Sequence, residues 1–246
     1  MIQKLLLILL LSLSLEAAVV KVAVAANLSF AIKELIADFT KQHQEIKVET
    51  TIGGSGKLAS QILHGAPYDI FLSANTTYPQ KLYTLKKGLR EPQIYAKGSL
   101  ILLSLQKRDF TKGLHLLLQD DITHIAIANP KTAPYGKATV EALKNAHLYA
   151  KIKSKFIYGE SIAQTLSYTL HAADIGFIAK SALFAPQLHS FEEGKNWIDV
   201  PKKLYTPIEQ AALLLAHAQK NESAQSFYNY LFSKQAEKIF QKYGYQ

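Results

Sequence analysis

Asn27, Ser55, Tyr135 and Ile162 each fall where an apolar run that reads as a strand gives way to a stretch with helical spacing. A helix that starts there leaves its first backbone N–H groups unpaired and carries the positive end of its dipole. Such a start can hold an anion without any formal positive charge. In open α/β sheets the same edge is where ligands bind. Pro134 suits the first helical position and has no N–H of its own, which makes the Tyr135 N–H the first free donor of its helix. None of the four residues is an acid. Four helix starts facing one cleft would form a cage of donors. A fully deprotonated tetrahedral oxyanion, which has only acceptors, is the ligand that satisfies it. Glu160 is the one acid beside the set, and it is expected to point away and bond to backbone or solvent.

Each residue taken alone has a plainer reading. Asn27 and Ser55 are good N-cap residues, Tyr135 suits packing or a surface, and Ile162 suits a core. Only their shared position makes a site of them. Catalytic motifs fit less well. Gly53-Gly54-Ser55-Gly56-Lys57 lacks the last glycine of a nucleophile elbow. As a phosphate loop it has Leu58 after Gly56-Lys57 and Thr51 where a glycine is required. The eight histidines show no metal-ligand spacing. A hydrolase using Ser55 stays open as an alternative, and it would need a base that the local sequence does not supply.

The elements that must position these residues alternate. Val19 to Ala25 reads as a buried parallel strand, and Leu28 to His43 as a helix with Ile32, Leu35, Ile36 and Phe39 on one stripe. Strands follow at Ile46 to Ile52 and Tyr68 to Ser73, with a short helix from Lys57 to Leu63 between them. Ser99 to Leu105 is strongly apolar. Further on come a strand from Ile122 to Ala128, a helix from Pro134 to about Leu148, a helix from Ser161 to about His171 and a strand from Ile175 to Ala179. The end, from Ser223 to Tyr243, reads as helices. This order implies an α/β fold with parallel sheets. Two βα series separated near Tyr95 to Gly98 imply two lobes, with the C-terminal helices returning to the first.

Composition narrows the class. The 246 residues are 48% apolar and 19% charged, enough for a real core. There is no cysteine, which excludes disulfides, thiolate metal sites and lipid attachment through an N-terminal cysteine. Lys4, the apolar run Leu5 to Leu15, and then Ala17 and Ala18 have the order of a cleavable export signal, too short to span a membrane. The net charge is +9, and removing Lys4 with Glu16 leaves it unchanged. The lysines are scattered and carry no aromatic-interleaved motif, so a solvated basic surface is favoured over nucleic-acid binding. A positive field also speeds the arrival of an anion.

Several segments, in this order and spacing, resemble the periplasmic molybdate-binding proteins of the type II solute-binding fold. They include Ala25-Ala26-Asn27-Leu28, Gly54-Ser55-Gly56-Lys57-Leu58, Gly65-Ala66-Pro67-Tyr68-Asp69-Ile70, Ala133-Pro134-Tyr135-Gly136, Gly159-Glu160-Ser161-Ile162 and Asp174-Ile175-Gly176-Phe177-Ile178. The resemblance implies an α/β protein of two lobes, each a mostly parallel sheet flanked by helices, with the ligand in the cleft. Residues 1–18 would be the signal, 19–95 with 206–246 the first lobe, and 96–205 the second. It implies oxyanion ligation by Asn27 and Ser55 through side chain and backbone, and by Tyr135 and Ile162 mainly through backbone N–H. Some members donate a tyrosine hydroxyl from the position that is Ala179 here, and Tyr135 is the candidate replacement. The implied ligand is molybdate or tungstate, with no cofactor and no metal held as a cation. The implied partner is the permease of an ABC importer, met by a periplasmic monomer that catalyses nothing and binds no nucleic acid. Sulfate, phosphate or a small organic acid in the same fold is the alternative ligand.

Overall fold

The computed structural model describes residues 18–246. The export signal expected from the sequence lies outside the described residues, apart from Ala18, which opens the first strand opposite Ile46. The first part of the chain forms β1 (Ala18–Ala25), α1 (Ala31–Thr40), β2 (Ile46–Gly53), α2 (Ser55–Leu63), β3 (Ile70–Ser73), α3 (Thr77–Thr84) and β4 (Gln93–Gly98). The second part forms β5 (Leu100–Leu103), β6 (Ile125–Ala128), α4 (Pro134–Asn145), α5 (Tyr149–Ile152), β7 (Phe156–Gly159), α6 (Ile162–His171), β8 (Ile175–Ala179) and β9 (Trp197–Asp199). The chain then returns through β10 (Ile208–Leu214) to α7 (Glu222–Tyr230) and α8 (Lys234–Lys242).

Two five-stranded sheets result, ordered β2-β1-β3-β10-β4 and β7-β6-β8-β5-β9. Each is the centre of a three-layer lobe. Alternation along β1 shows why. Val20, Val22 and Val24 pack with α1, α7 and α8 through Leu35, Phe39, Phe227 and Phe240. Ala23 faces the other way, onto Leu58 and Ile62 of α2 and Leu82 of α3. In the second lobe Leu100 and Leu102 face α4, while Ile101 and Leu103 face Leu166 of α6 and Trp197. With both faces covered, these strands must be apolar throughout, and β3, β5, β6 and β8 are buried at every residue.

The sheets are mixed where the sequence suggested parallel pairing. Strand β1 runs parallel to β2 and β3, and β6 parallel to β7 and β8. Strand β10 is antiparallel to β3 and β4, and β5 is antiparallel to β8 and β9. The connection between lobes dictates this. The chain leaves the first sheet along β4, with only Ser99 before β5, and comes back along β10. Neighbouring strands that leave and return must run in opposite directions. Sequence reading also missed α3, β4, β9 and β10.

Helices α7 and α8 pack on the first sheet beside α1. Phe227 is fully buried, its ring 5.0 Å from that of Phe39. Truncating it removes an aromatic from a close-packed cluster, so Phe227→Ala should cost about 3–5 kcal/mol. Phe232, at 38% exposed, should cost only about 0.5 kcal/mol or less when cut to alanine. Urea denaturation of both variants checks this, and similar losses would show that the helices do not seal the sheet.

Candidate anion-binding site

The C-terminal ends of the parallel strands in both sheets point at the cleft between the lobes, and the four singled-out residues meet there. Asn27 follows β1 in a 3-10 turn (Ala26–Leu28), Ser55 is the first residue of α2 after β2, Tyr135 the second of α4 after β6, and Ile162 the first of α6 after β7. All four line one cavity, with Ala25, Ala26, Gly54, Ala74, Ala133 and Pro134. No charged residue lines it. Its volume for the centre of a water-sized sphere is about 10 Å³, near the least that one water needs. The cavity as closed here is smaller than a tetrahedral oxyanion, so the lobes must part slightly to admit one.

The cavity is built from donors. Helices α2, α4 and α6 carry no acidic residue in their first turns, although an acid there is usually favourable. The first N–H groups at these starts have no intrahelical acceptor. Those of Ser55, Tyr135 and Ile162 find no other partner among the described residues. The Ser55 hydroxyl oxygen accepts from the Ala74 N–H at 3.0 Å, which leaves its own proton free to donate.

Capping, the plainer reading of Asn27 and Ser55, is not how they are used. Gly54 is the N-cap of α2, so Ser55 lies inside the helix, and Asn27 lies inside its turn with no cap bond. Glu160 lies outside the cavity lining. Its carboxylate is exposed and accepts from Asn129 Nδ2 at 3.5 Å, a side-chain partner where backbone or solvent was expected. Ala179 lines an adjoining pocket behind Ile162. The Tyr135 phenol, the candidate replacement for a hydroxyl there, is turned to the crossing strands. It lies against Gly98 and accepts from Gln210 Nε2 at 3.3 Å.

Sequence reasoning missed the layer beneath the cavity. Asn27 Nδ2 donates to Gln210 Oε1 at 2.8 Å and to the Tyr245 hydroxyl at 3.0 Å. Tyr95 donates to Gln210 Oε1 at 2.9 Å, and the Tyr245 and Ser181 hydroxyls both donate to the Asn27 carbonyl. A glutamine inside the apolar strand Ile208–Leu214 is the one signal that could have found it, because a buried amide must be paired.

The lobes are shut on each other in this structure. Gly56 N–H donates to Thr132 O at 3.1 Å, and the Tyr78 hydroxyl reaches the same oxygen at 3.3 Å. The glycines permit this approach. A Cβ at Gly54 would stand 2.9 Å from Glu160 O, and one at Gly56 2.8 Å from Thr132 O.

Similarity to known proteins agrees with this arrangement. Residues 20–246 match the family described as bacterial extracellular solute-binding protein, and the chain belongs to that family. It is 37% identical to the molybdate-binding protein ModA of Azotobacter vinelandii, over 94% of this chain and 90% of that one. It is 36% identical to the protein of the same name from Rhodobacter capsulatus, over 91% and 86% of the two chains. A solved periplasmic molybdate-binding protein of Azotobacter vinelandii superposes with a TM-score of 0.84 at 29% identity, covering 92% of this chain and 98% of that one. The fold is thus that of a two-lobed type II binding protein, related to the molybdate-binding ModA proteins.

Two expectations follow from the geometry. Gly54→Ala places a methyl against a backbone oxygen of the other lobe and cannot be absorbed by a side-chain shift. Overpacking of this kind costs roughly 1–3 kcal/mol, here charged to closure and not to the folding of either lobe. Small-angle scattering should show a more open particle with an unchanged urea midpoint, and an equally compact variant would refute the role given to Gly54. The second concerns the phenols. Burial holds those of Tyr95, Tyr135 and Tyr245 above their ordinary value. The native state therefore keeps protons that the unfolded chain releases above about pH 10. That contribution to stability is complete below this pH and is lost as pH rises beyond it. In a spectrophotometric titration of the thirteen tyrosines, these three should ionise only on alkaline unfolding. Ionisation of all thirteen near pH 10 in folded protein would contradict it.

Proposed function

We propose that this protein binds molybdate, and tungstate by the same chemistry, between its two lobes and hands it to the permease of an ABC importer. The observation that carries the reading is the cavity built from Asn27, Ser55, Tyr135 and Ile162, which offers unpaired donors from three helix starts and no carboxylate. Relatives that bear the molybdate-binding name over nearly the whole chain support it. A neutral cage suits a fully deprotonated tetrahedral anion, because every oxygen it presents is an acceptor. Closure of the lobes then completes the cage and makes the loaded form distinct from the empty one. We infer further that the protein is exported by its first 18 residues, works in the periplasm as a monomer, and catalyses no reaction. On this reading the first lobe comprises 19–95 with 206–246 and the second 96–205. Crossing strands β4 and β10 are the hinge, and no cofactor is needed.

The test is calorimetric titration of the mature protein with molybdate, tungstate, sulfate and phosphate, paired with melting temperatures. A ligand that binds only the native state stabilises it by about 2.7 kcal/mol at a hundredfold excess over Kd. Molybdate and tungstate should shift the melting temperature clearly, and sulfate and phosphate far less. Equal shifts from all four would remove the molybdate assignment. Ser55→Ala removes the hydroxyl but keeps the backbone donor. Hydrogen bonds to charged groups contribute roughly 1.5–3 kcal/mol, so affinity should fall about ten- to a hundredfold. The fold should survive, since Ser55 does not cap its helix, at a cost of about 1–3 kcal/mol for the Ala74 N–H left without its acceptor. An unchanged affinity in this variant would place the anion elsewhere.

A further inference from the structure

One atom beneath the cavity is out of place. Asn27 is 3% exposed and lines the anion cavity, yet its Oδ1 is buried without a hydrogen-bond partner. Its Nδ2 is used twice over, by Gln210 and Tyr245. The free end of the amide is therefore an acceptor, in a cage whose other members are donors. A fully deprotonated oxyanion would meet a carbonyl oxygen there and be repelled.

Oxygen and nitrogen of an amide exchange by a half-turn that moves no other heavy atom. Turning Asn27 and Gln210 together repairs the network. Gln210 Nε2 then donates to Asn27 Oδ1 across the same 2.8 Å and to Tyr95 across the same 2.9 Å. Tyr95 passes its own proton to Ser73 O at 3.2 Å. At the other end of Gln210, Oε1 accepts from the Tyr135 phenol across 3.3 Å, giving that hydroxyl an acceptor. The Tyr245 hydroxyl then divides its one proton between Asn27 Oδ1 at 3.0 Å and the Asn27 carbonyl at 2.7 Å, and Ser181 serves that carbonyl as well at 2.8 Å. The Tyr135 hydroxyl proton gains an acceptor, and the one unpaired end of the Asn27 amide becomes Nδ2, a donor that a bound oxyanion satisfies. A buried hydroxyl proton without an acceptor is costly, and the partner gained by Tyr135 favours this arrangement.

We propose that Gln210 is a positioning residue that fixes the orientation of the Asn27 amide, and thereby decides whether the cage accepts a fully deprotonated oxyanion or one that keeps a proton. Gln210 does not touch the anion in this scheme. It sits fully buried on the returning strand β10, between Asn27 of the first lobe and Tyr135 of the second, so the amide is set only where both lobes meet. The inference rests on the oxyanion reading above and specifies which protonation state the site selects.

Two experiments test it with different points of failure. In the ligand-free protein, nuclear Overhauser contacts of the Gln210 side-chain NH2 report orientation directly. Contacts to the Tyr95 ring are expected, and contacts to the Tyr135 ring instead would overturn the proposal whatever the protein binds. The second measurement is the ratio of affinities for molybdate and for phosphate at pH 7, an anion that keeps at least one proton. Gln210→Glu is close in shape but can only accept, so it draws Asn27 Nδ2 to itself and turns Oδ1 to the ligand. Molybdate affinity should fall about a hundredfold, with phosphate weakened by about tenfold or less. Because a buried carboxylate could also perturb folding, Gln210→Met is the companion. It frees the amide to take either orientation, so the ratio should shift part of the way. Equal weakening for both anions would reduce Gln210 to a packing role, and an unshifted ratio in a well-folded variant would overturn the proposal. Failure of the parent protein to bind molybdate would count against the function and leave the orientation to be decided by the nuclear Overhauser contacts.

Discussion

Unpaired backbone N–H groups at three helix starts are the constraint on which this molecule turns. A buried donor without a partner costs about 1–3 kcal/mol, and most folds avoid the cost by capping or solvation. Here Ser55, Tyr135 and Ile162 begin their helices at a cleft, with only hydrophobic and small residues around them. The donors are exposed to water while the lobes are apart and lose it when the lobes meet. Closure is thus unfavourable unless something else satisfies them, which is the part that the proposed function gives to a compact anion. The two-lobed architecture follows from that balance, because the donors on α2 belong to one sheet and those on α4 and α6 to the other.

The interface that closes over the site is made accordingly. Its direct contacts are backbone-centred: Gly56 to Thr132 O, and Ser181 to the Asn27 carbonyl. Glycines at 54 and 56 let backbone approach backbone where any Cβ would hold the lobes apart. The strands that cross between the lobes run antiparallel to their neighbours, and Gln210 and Tyr95 lie on them, directly below Asn27. The polar layer under the cavity therefore sits on the two strands that carry the chain between the lobes.

Much of this was legible in the sequence, for a physical reason. Strands covered on both faces must be apolar at every position, and helices beside them must carry a stripe. Runs such as Val19–Ala25 and Ile175–Ala179 and the Ile32, Leu35, Phe39 stripe therefore announce themselves. The junctions between them then locate Asn27, Ser55, Tyr135 and Ile162 without any contact information. What escaped reading depends on partners far away in the chain. Strand β4 begins with polar Gln93 and ends at Gly98, and its identity comes from pairing with β10, more than a hundred residues later. Asn27 and Ser55 have the right chemistry for capping, which is why that reading stayed open for each alone, while Gly54 supplies the extended geometry that the position needs. Gln210 is marked locally only as an amide in an apolar run, and its role depends on Asn27, Tyr95 and Tyr135, which come from three other elements.

The charge of the protein and the neutrality of its site divide the work between them. The excess of +9 resides in lysines spread over the surface, several of them in exposed pairs such as Lys47–Glu49 and Lys97–Glu209, and no charged side chain lines the cavity. A field of that kind attracts every anion alike and is screened within about 10 Å at moderate salt. It raises the rate of encounter and cannot choose between ligands. A lysine inside the cage would share that weakness, because an ammonium on a flexible stem adapts to many anions. Fixed backbone donors do not adapt. They match one set of acceptor positions, and a ligand that brings a proton to any of them loses a bond and gains a clash. On the proposed reading, selectivity resides in the neutral donors and in what holds Asn27 in register with them, because the basic surface has no means of telling one anion from another.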